Sequence, residues 1–329
     1  MHDRAMVDYP RFHGQHCETT ATGNLLAQQG ITLTEPMLFG LSEGLQFIFL
    51  HLAGLNLPFI GGRTKPFALT RTLCANLHLE LEAKETGSKA RAFDNLIQPL
   101  RQGMPVGLQL DAYYLDYFSS RIHFAGHALA CFGVEDDCAH VIDTVQQGGE
   151  HRIALSDLEQ ARFAKGPMAA KARSWTIKAT PEKRALDGAI QSAIRNNAAS
   201  YQTPAFKGMA YLGIAKLAES LPTWLDIAPE PGKDLVLASL LMERAGTGGS
   251  IFRCFYRDFL AESAAMLGAA TLRQAHRAFV DIAEDWRQVA LLIEQAGASL
   301  TARPLIEAAK ICETLAVREK AAMTLLSRL

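Results

Sequence analysis

The chain has 329 residues, 33 Lys and Arg against 34 Asp and Glu, and is 49% hydrophobic and 20% charged. That length suggests about two domains and a core that needs neither disulfides nor a structural metal. The balanced charge excludes nucleic-acid binding through bulk electrostatics, and high apolar content at low net charge excludes a disordered chain. No apolar run reaches about 18 residues, so no membrane span is expected, and MHDRAMVDYPRFHG lacks the apolar segment of a secretory leader. Six cysteines (17, 74, 131, 138, 254 and 312) lack CxxC spacing and are too sparse for a secreted disulfide framework. They read as reduced thiols of a cytoplasmic protein.

In chain order, ETTATGNLLAQQG (18–30) places Ala21, Leu25 and Leu26 on one helical stripe, with Gly30 as a stop. PVGLQLDAYYL (105–115), HALACFGV (127–134), AHVIDTV (139–145) and SWTIKA (174–179) read as strands bounded by turn residues. Ser156-Asp157-Leu158-Glu159 fits a capping box and predicts a helix start. Thr180-Pro181-Glu182 predicts another. From there to Leu329 the pattern is helix-periodic and rich in Ala, Leu, Arg and Glu, with long amphipathic runs at 272–297 and 306–329. The expected architecture is α+β, with a first domain over 1–179 and a mostly helical C-terminal domain over 180–329.

Cys17 follows His16 at the predicted helix start. The unpaired N–H groups of a first helical turn suit a sulfur nucleophile and the oxyanion that its attack creates. The alternative is an inert buried thiol. A cysteine nucleophile needs a histidine held by a third group. His127 opens one strand and Asp143 closes the next; a hairpin pivoting near Glu135 sets the two opposite each other, where side chains on one face are about 5 Å apart. A one-residue register shift would part them. Cys17, His127 and Asp143 follow the papain-type order Cys, His, Asn/Asp.

HCETTATGNLL (16–26), FGLSEGLQF (39–47), DAYYLDY (111–117), HFAGHALACFGVEDD (123–137) and VID (141–143) together resemble the N-terminal domain of the butirosin biosynthesis protein H family. ERAGTGGSIFRCFYRDFL (243–260) is similar to the helical domain that accompanies it. The resemblance implies a papain-like cysteine acyltransferase domain. Its substrate would be the phosphopantetheine thioester of an acyl carrier protein, and its acceptor a small-molecule amine. Cys17 would carry the acyl group, His127 would act as base and acid, and Asp143 would orient His127. No tightly bound cofactor and no metal are implied. Papain-like peptidases carry an oxyanion-hole Gln six residues before the cysteine; that position here is Arg11, and Gln15 is only two residues upstream. The same machinery with water as acceptor would make an amidase, peptidase or thioesterase.

Further positions carry expectations for substrate. Gly246, Gly248 and Gly249 with Arg253 read either as an anion site for the pantetheine phosphate or as a plain inter-helix turn. Asp111 and Tyr114, after a strand, would attract a cationic acceptor or lie in a solvated turn. Glu43 and Arg63 match family positions and read as substrate contacts or an internal ion pair. The exposed faces of the long C-terminal helices offer a surface for a homodimer.

Overall fold

A computed structural model describes residues 4–52, 54–119, 122–180 and 185–329. The chain opens with β1 (Ala5–Met6), α1 (Cys17–Gln28), α2 (Glu35–Leu41), β2 (Leu45–Leu50) and β3 (Phe59–Arg63). There follow α3 (Ala68–Asn76), β4 (Glu80–Lys84), α4 (Lys89–Arg101), β5 (Val106–Leu110), β6 (His127–Glu135), β7 (Cys138–Ile142), β8 (Glu150–Ala154), α5 (Leu155–Phe163) and β9 (Ser174–Lys178). Helices complete it: α6 (Leu186–Gln202), α7 (Ala210–Ser220), α8 (Trp224–Ile227), α9 (Pro231–Glu243), α10 (Arg253–Leu267), α11 (Ala270–Ser299) and α12 (Arg303–Leu326). The architecture is α+β. Among the described residues no helix is long and apolar enough to cross a membrane.

Spatial contacts divide the chain into two units, Met1–Leu38 with Lys65–Arg184 and Phe39–Thr64 with Ala185–Leu329. The first is built on an antiparallel sheet in the order β4-β9-β5-β6-β7-β8. Its spine is β6, buried along nearly its whole length. The first part of β6 pairs with β5 and its last part with β1. Helix α1 packs on β5, β6 and β9. Its stripe of Ala21, Leu25 and Leu26 is buried, yet so is every residue from Cys17 to Leu26. This is a central helix with no watered face over that span, so its polar side chains bond inward. Thr22 Oγ1 meets Thr70 Oγ1 at 2.8 Å, and Asn24 Nδ2 donates to Phe12 O and Thr20 O.

The strands expected at 127–134, 139–145 and 174–179 form β6, β7 and β9. The run 105–115 is strand only to Leu110. There Asp111 Oδ1 accepts the Tyr113 N–H and turns the chain into a short 3-10 turn, Ala112–Tyr114. The helix expected from a Ser156 cap instead begins at Leu155. Strand β8 runs straight into it, and the Leu155 N–H bonds Asp137 O at 2.9 Å, leaving Ser156 inside the first turn. The start expected at Thr180-Pro181-Glu182 falls largely outside the described residues.

Among the described residues, the regular elements of the second unit are helical apart from the β2–β3 hairpin. The first domain expected over 1–179 thus gives up Phe39–Thr64. The reason lies in LQFIFL: Leu45, Phe47 and Phe49 are all buried and need cover. Phe47 stacks on Trp286 with centroids 5.3 Å apart, and Phe39 lies against Phe252 and Phe255. The hairpin backbone is tied as well, Asn197 Nδ2 donating to Leu45 O and the Phe49 N–H to Gly208 O.

Candidate active site

Cys17 is the first residue of α1, and the turn before it is held from several sides. His16 is extended, and its Nδ1 accepts the Thr19 N–H. The His16 carbonyl takes the Thr20 N–H and both the Thr19 and Thr20 hydroxyls. Glu35, at the start of α2, reaches back to accept the N–H groups of Gln15 and His16 and the Thr19 hydroxyl. Burial pushes the Glu35 carboxyl up from its ordinary value, against the pull of those three donors. Just upstream, Asn24 bonds the Phe12 N–H and the Phe12 carbonyl together. The Cys17 N–H is left without an acceptor among the described residues, as the first N–H of a helix is.

His127 and Asp143 meet, by a different register from the one expected. The turn lies at Asp136-Asp137, and near it Glu135 pairs with Cys138 and Gly133 with His140. A regular ladder from that turn would put His127 and Asp143 on opposite faces. A bulge between Cys131 and Gly133 inserts Phe132 as an extra residue, and beyond it Cys131 pairs with Val141 and Ala130 with Ile142. Extending that register past Ile142 sets Asp143 opposite Leu129, two residues from His127, so both lie on one face. His127 Nε2 then stands 2.7 Å from Asp143 Oδ2. Cys17 lies close enough to the imidazole to act on its charge.

The exposures of Cys17, His127 and Asp143 are 8%, 4% and 1%. Burial works against a charged His127, but the Asp143 charge and hydrogen bond, aided by those of Cys17, outweigh it and carry the imidazole up to about 10. Burial likewise opposes an ionised Asp143. The His127 charge and hydrogen bond, with the Thr144 N–H and Tyr117 O–H, hold it below the usual carboxylate range. Of the other thiols, burial pushes Cys74 and Cys131 up to about 12 and Cys312 higher still.

Residues not foreseen complete the surroundings. Tyr117 donates to Asp143 Oδ2 at 2.8 Å and stacks on His151 at 3.7 Å. Phe118 sets its edge against the His127 ring, centroids 5.1 Å apart. Tyr117 lies in the DAYYLDY run, and Glu35 in a Thr-Glu-Pro helix start. These were the available signals.

The residues expected to bind substrate divide. Asp111 is buried, not in a solvated turn, and both its oxygens are engaged within the protein: Oδ1 by the Tyr113 and Phe124 N–H groups, Oδ2 by His123. It cannot also serve as a counter-ion for an acceptor. Tyr114 is half-buried, edge-on to Tyr113 and His123. Glu43 and Arg63 belong to the other unit, where Glu43 accepts from Asn196 Nδ2 and Arg63 donates to Thr64 O. Arg253 is a correction. It is wholly buried and donates to both oxygens of Glu319 and to the carbonyls of Gln46 and Ile251, so it has no face for a phosphate. Gly246, Gly248 and Gly249 all have positive φ and form a turn. A Cβ on Gly248 would meet the Phe255 ring at 2.6 Å, and the Ser250 N–H is taken by Glu243. Arg11, at the papain Gln position, donates to Tyr9 O and lies over the Phe132 ring.

The model of the butirosin biosynthesis protein H N-terminal family matches residues 16–144. That of a domain of unknown function (DUF4872) matches residues 156–326. No curated protein matches the chain. The first match spans Cys17, His127 and Asp143, so the N-terminal part of the chain is similar to that family; the second covers just over half of the chain, which therefore belongs to the DUF4872 family.

Proposed function

We propose that this protein is a cysteine-dependent N-acyltransferase with a papain-like catalytic domain, moving an acyl group from the phosphopantetheine thioester of an acyl carrier protein to an amine. The observation that carries the reading is the buried His127–Asp143 pair, 2.7 Å apart, with the helix-start Cys17 near enough to act on the imidazole charge. Cys17 attacks the thioester carbonyl, and the developing oxyanion is met by the Cys17 N–H at the positive end of α1. His127, held protonated by Asp143, gives its proton to the departing pantetheine thiol. The amine then attacks acyl-Cys17, His127 takes a proton back, and the amide leaves. Exchange between thioesters is nearly isoenergetic and amide formation is downhill, so no nucleotide is needed.

Intact mass after mixing with an S-acyl pantetheine thioester tests this. The wild type gains the acyl mass on the Cys17 peptide and passes it to an added amine. Cys17→Ala gains none, and His127→Ala slows acylation by about 10²–10⁴-fold, the ordinary worth of a general acid–base group. Transfer at full rate by Cys17→Ala would overturn the assignment.

A further inference from the structure

A second aspartate–histidine pair lies on the segment that joins the end of β5 to the start of the His127 strand. His123 Nδ1 lies 2.8 Å from Asp111 Oδ2, and the imidazole stacks on Tyr113 with centroids 4.0 Å apart and planes 19° from parallel. Asp111 is 1% exposed whereas the His123 side chain is 62% exposed, so the carboxylate is a fixed anchor and the ring edge faces solvent. The pair is tied to the His127 strand by its backbone. Asp111 directly follows Leu110, whose partner in the ladder is His127. Asp111 Oδ1 accepts the Phe124 N–H, and the Phe124 carbonyl accepts the His127 N–H. Among the described residues, the titratable groups in contact with His123 are Asp111, Tyr113 and Tyr114. Nothing in the Cys17–His127–Asp143 line uses this pair.

The proton balance of the proposed transfer, on which this inference rests, gives it a task. When Cys17 is acylated, its sulfur bonds the acyl carbon, the carbon–pantetheine sulfur bond breaks, and the His127 proton goes to the leaving thiol. His127 is then neutral and has room for one proton. An aliphatic amine arrives as an ammonium ion, since its pKa is near 10, and must lose two protons to become an amide. We propose that His123, backed by Asp111, is the base that takes the first of them. Its other nitrogen accepts a proton from the incoming ammonium, and the neutral amine forms the nitrogen–carbon bond with acyl-Cys17. The second proton passes to His127, and the carbon–Cys17 bond breaks to restore the sulfur. His123 then returns its proton to solvent along its exposed edge. The ligand of this second site is therefore a primary ammonium group, read by a base rather than by a counter-ion.

The test uses the full chain, an S-acetyl pantetheine thioester, and two acceptors: ethanolamine, mostly cationic at neutral pH, and hydroxylamine, mostly neutral there. The variant is His123→Gln, an exposed change. Acetyl-Cys17 should form at the wild-type rate. Transfer to ethanolamine at neutral pH should fall about 10-fold or more, toward the ordinary worth of a general base, and the loss should shrink as pH approaches the amine's own pKa. Transfer to hydroxylamine should be unchanged. Full ethanolamine transfer by His123→Gln, or an equal loss with both acceptors, would overturn the role of His123 and leave the acyltransferase reading standing. Failure of the wild type to form acetyl-Cys17 would remove both.

Discussion

Asp143 Oδ2 receives two donors at once, His127 Nε2 at 2.7 Å and Tyr117 Oη at 2.8 Å, while Oδ1 takes the Thr144 N–H at 2.7 Å. An ionised carboxylate only accepts, so the proton in the first of these bonds sits on Nε2. That leaves the other nitrogen to exchange a proton with Cys17. Removing the Tyr117 hydroxyl withdraws one donor from a buried anion. Hydrogen bonds to charged groups are worth about 1.5–3 kcal/mol, and about one pH unit of that range is expected to appear as a rise in the Asp143 value. Tyr117→Phe should thus raise by about one unit the pH at which the Asp143 contribution to stability is lost on acidification, read by urea unfolding of both proteins below neutral pH. A purely structural role would lower stability at every pH alike. Stability follows the same pair. The His127 value is raised, so its contribution is fully present below the ordinary imidazole value near 6.5 and is lost as pH rises through about 10. The Asp143 value is depressed, so its contribution is present above the ordinary carboxylate value and is lost as pH falls through the native one. Urea unfolding of wild type and His127→Gln across this range should show a stability difference that is largest at mildly acidic pH and closes toward pH 10.

At the scale of the element, Glu35 shows how a helix start is made precise. One carboxylate on α2 binds two backbone N–H groups and a hydroxyl around the residue before Cys17. Glu35→Ala leaves the part-buried His16 N–H and the Thr19 hydroxyl without this acceptor. The loss should be about 2–3 kcal/mol in urea unfolding, accompanied by slower alkylation of Cys17 than of a matched surface thiol control. The sequence made the elements around the site readable because turn residues bracket them: Gly30 after α1, Asp136-Asp137 between β6 and β7. It did not make the register readable. The spacing of His127 and Asp143 fits a tight hairpin only with an extra residue in one strand, and Phe132 carries no local mark of a bulge. Asp111 and Arg253 were misread for one shared reason. A charged residue after a strand or at a helix start reads as exposed, and only tertiary structure reveals the His123 or Glu319 that lets it be buried.

The whole chain is not two beads in sequence. It passes from the first unit to the second after Leu38, returns after Thr64 and leaves again after Arg184. The family models cut it differently: residues 39–64 fall inside the N-terminal match, although their strands pack among the helices of the second unit. That packing is not peripheral. Arg253, paired in the core with Glu319, uses the Gln46 carbonyl as an acceptor, and Glu319 also takes the Trp286 indole N–H, while Phe47 covers the same Trp286. A fragment over 185–329 therefore loses an acceptor for a buried guanidinium and uncovers Trp286, Phe252 and Phe255 together. Leaving a buried charge under-satisfied costs several kcal/mol, a large share of the stability of a domain this size. The fragment alone should bind a hydrophobic dye and unfold without cooperativity in urea. The same fragment with residues 39–64 joined through a flexible Gly/Ser linker should unfold in a single transition, with the Trp286 fluorescence of the intact protein. A fully cooperative fragment lacking the hairpin would show that the helices hold their own core and that β2 and β3 merely rest on it.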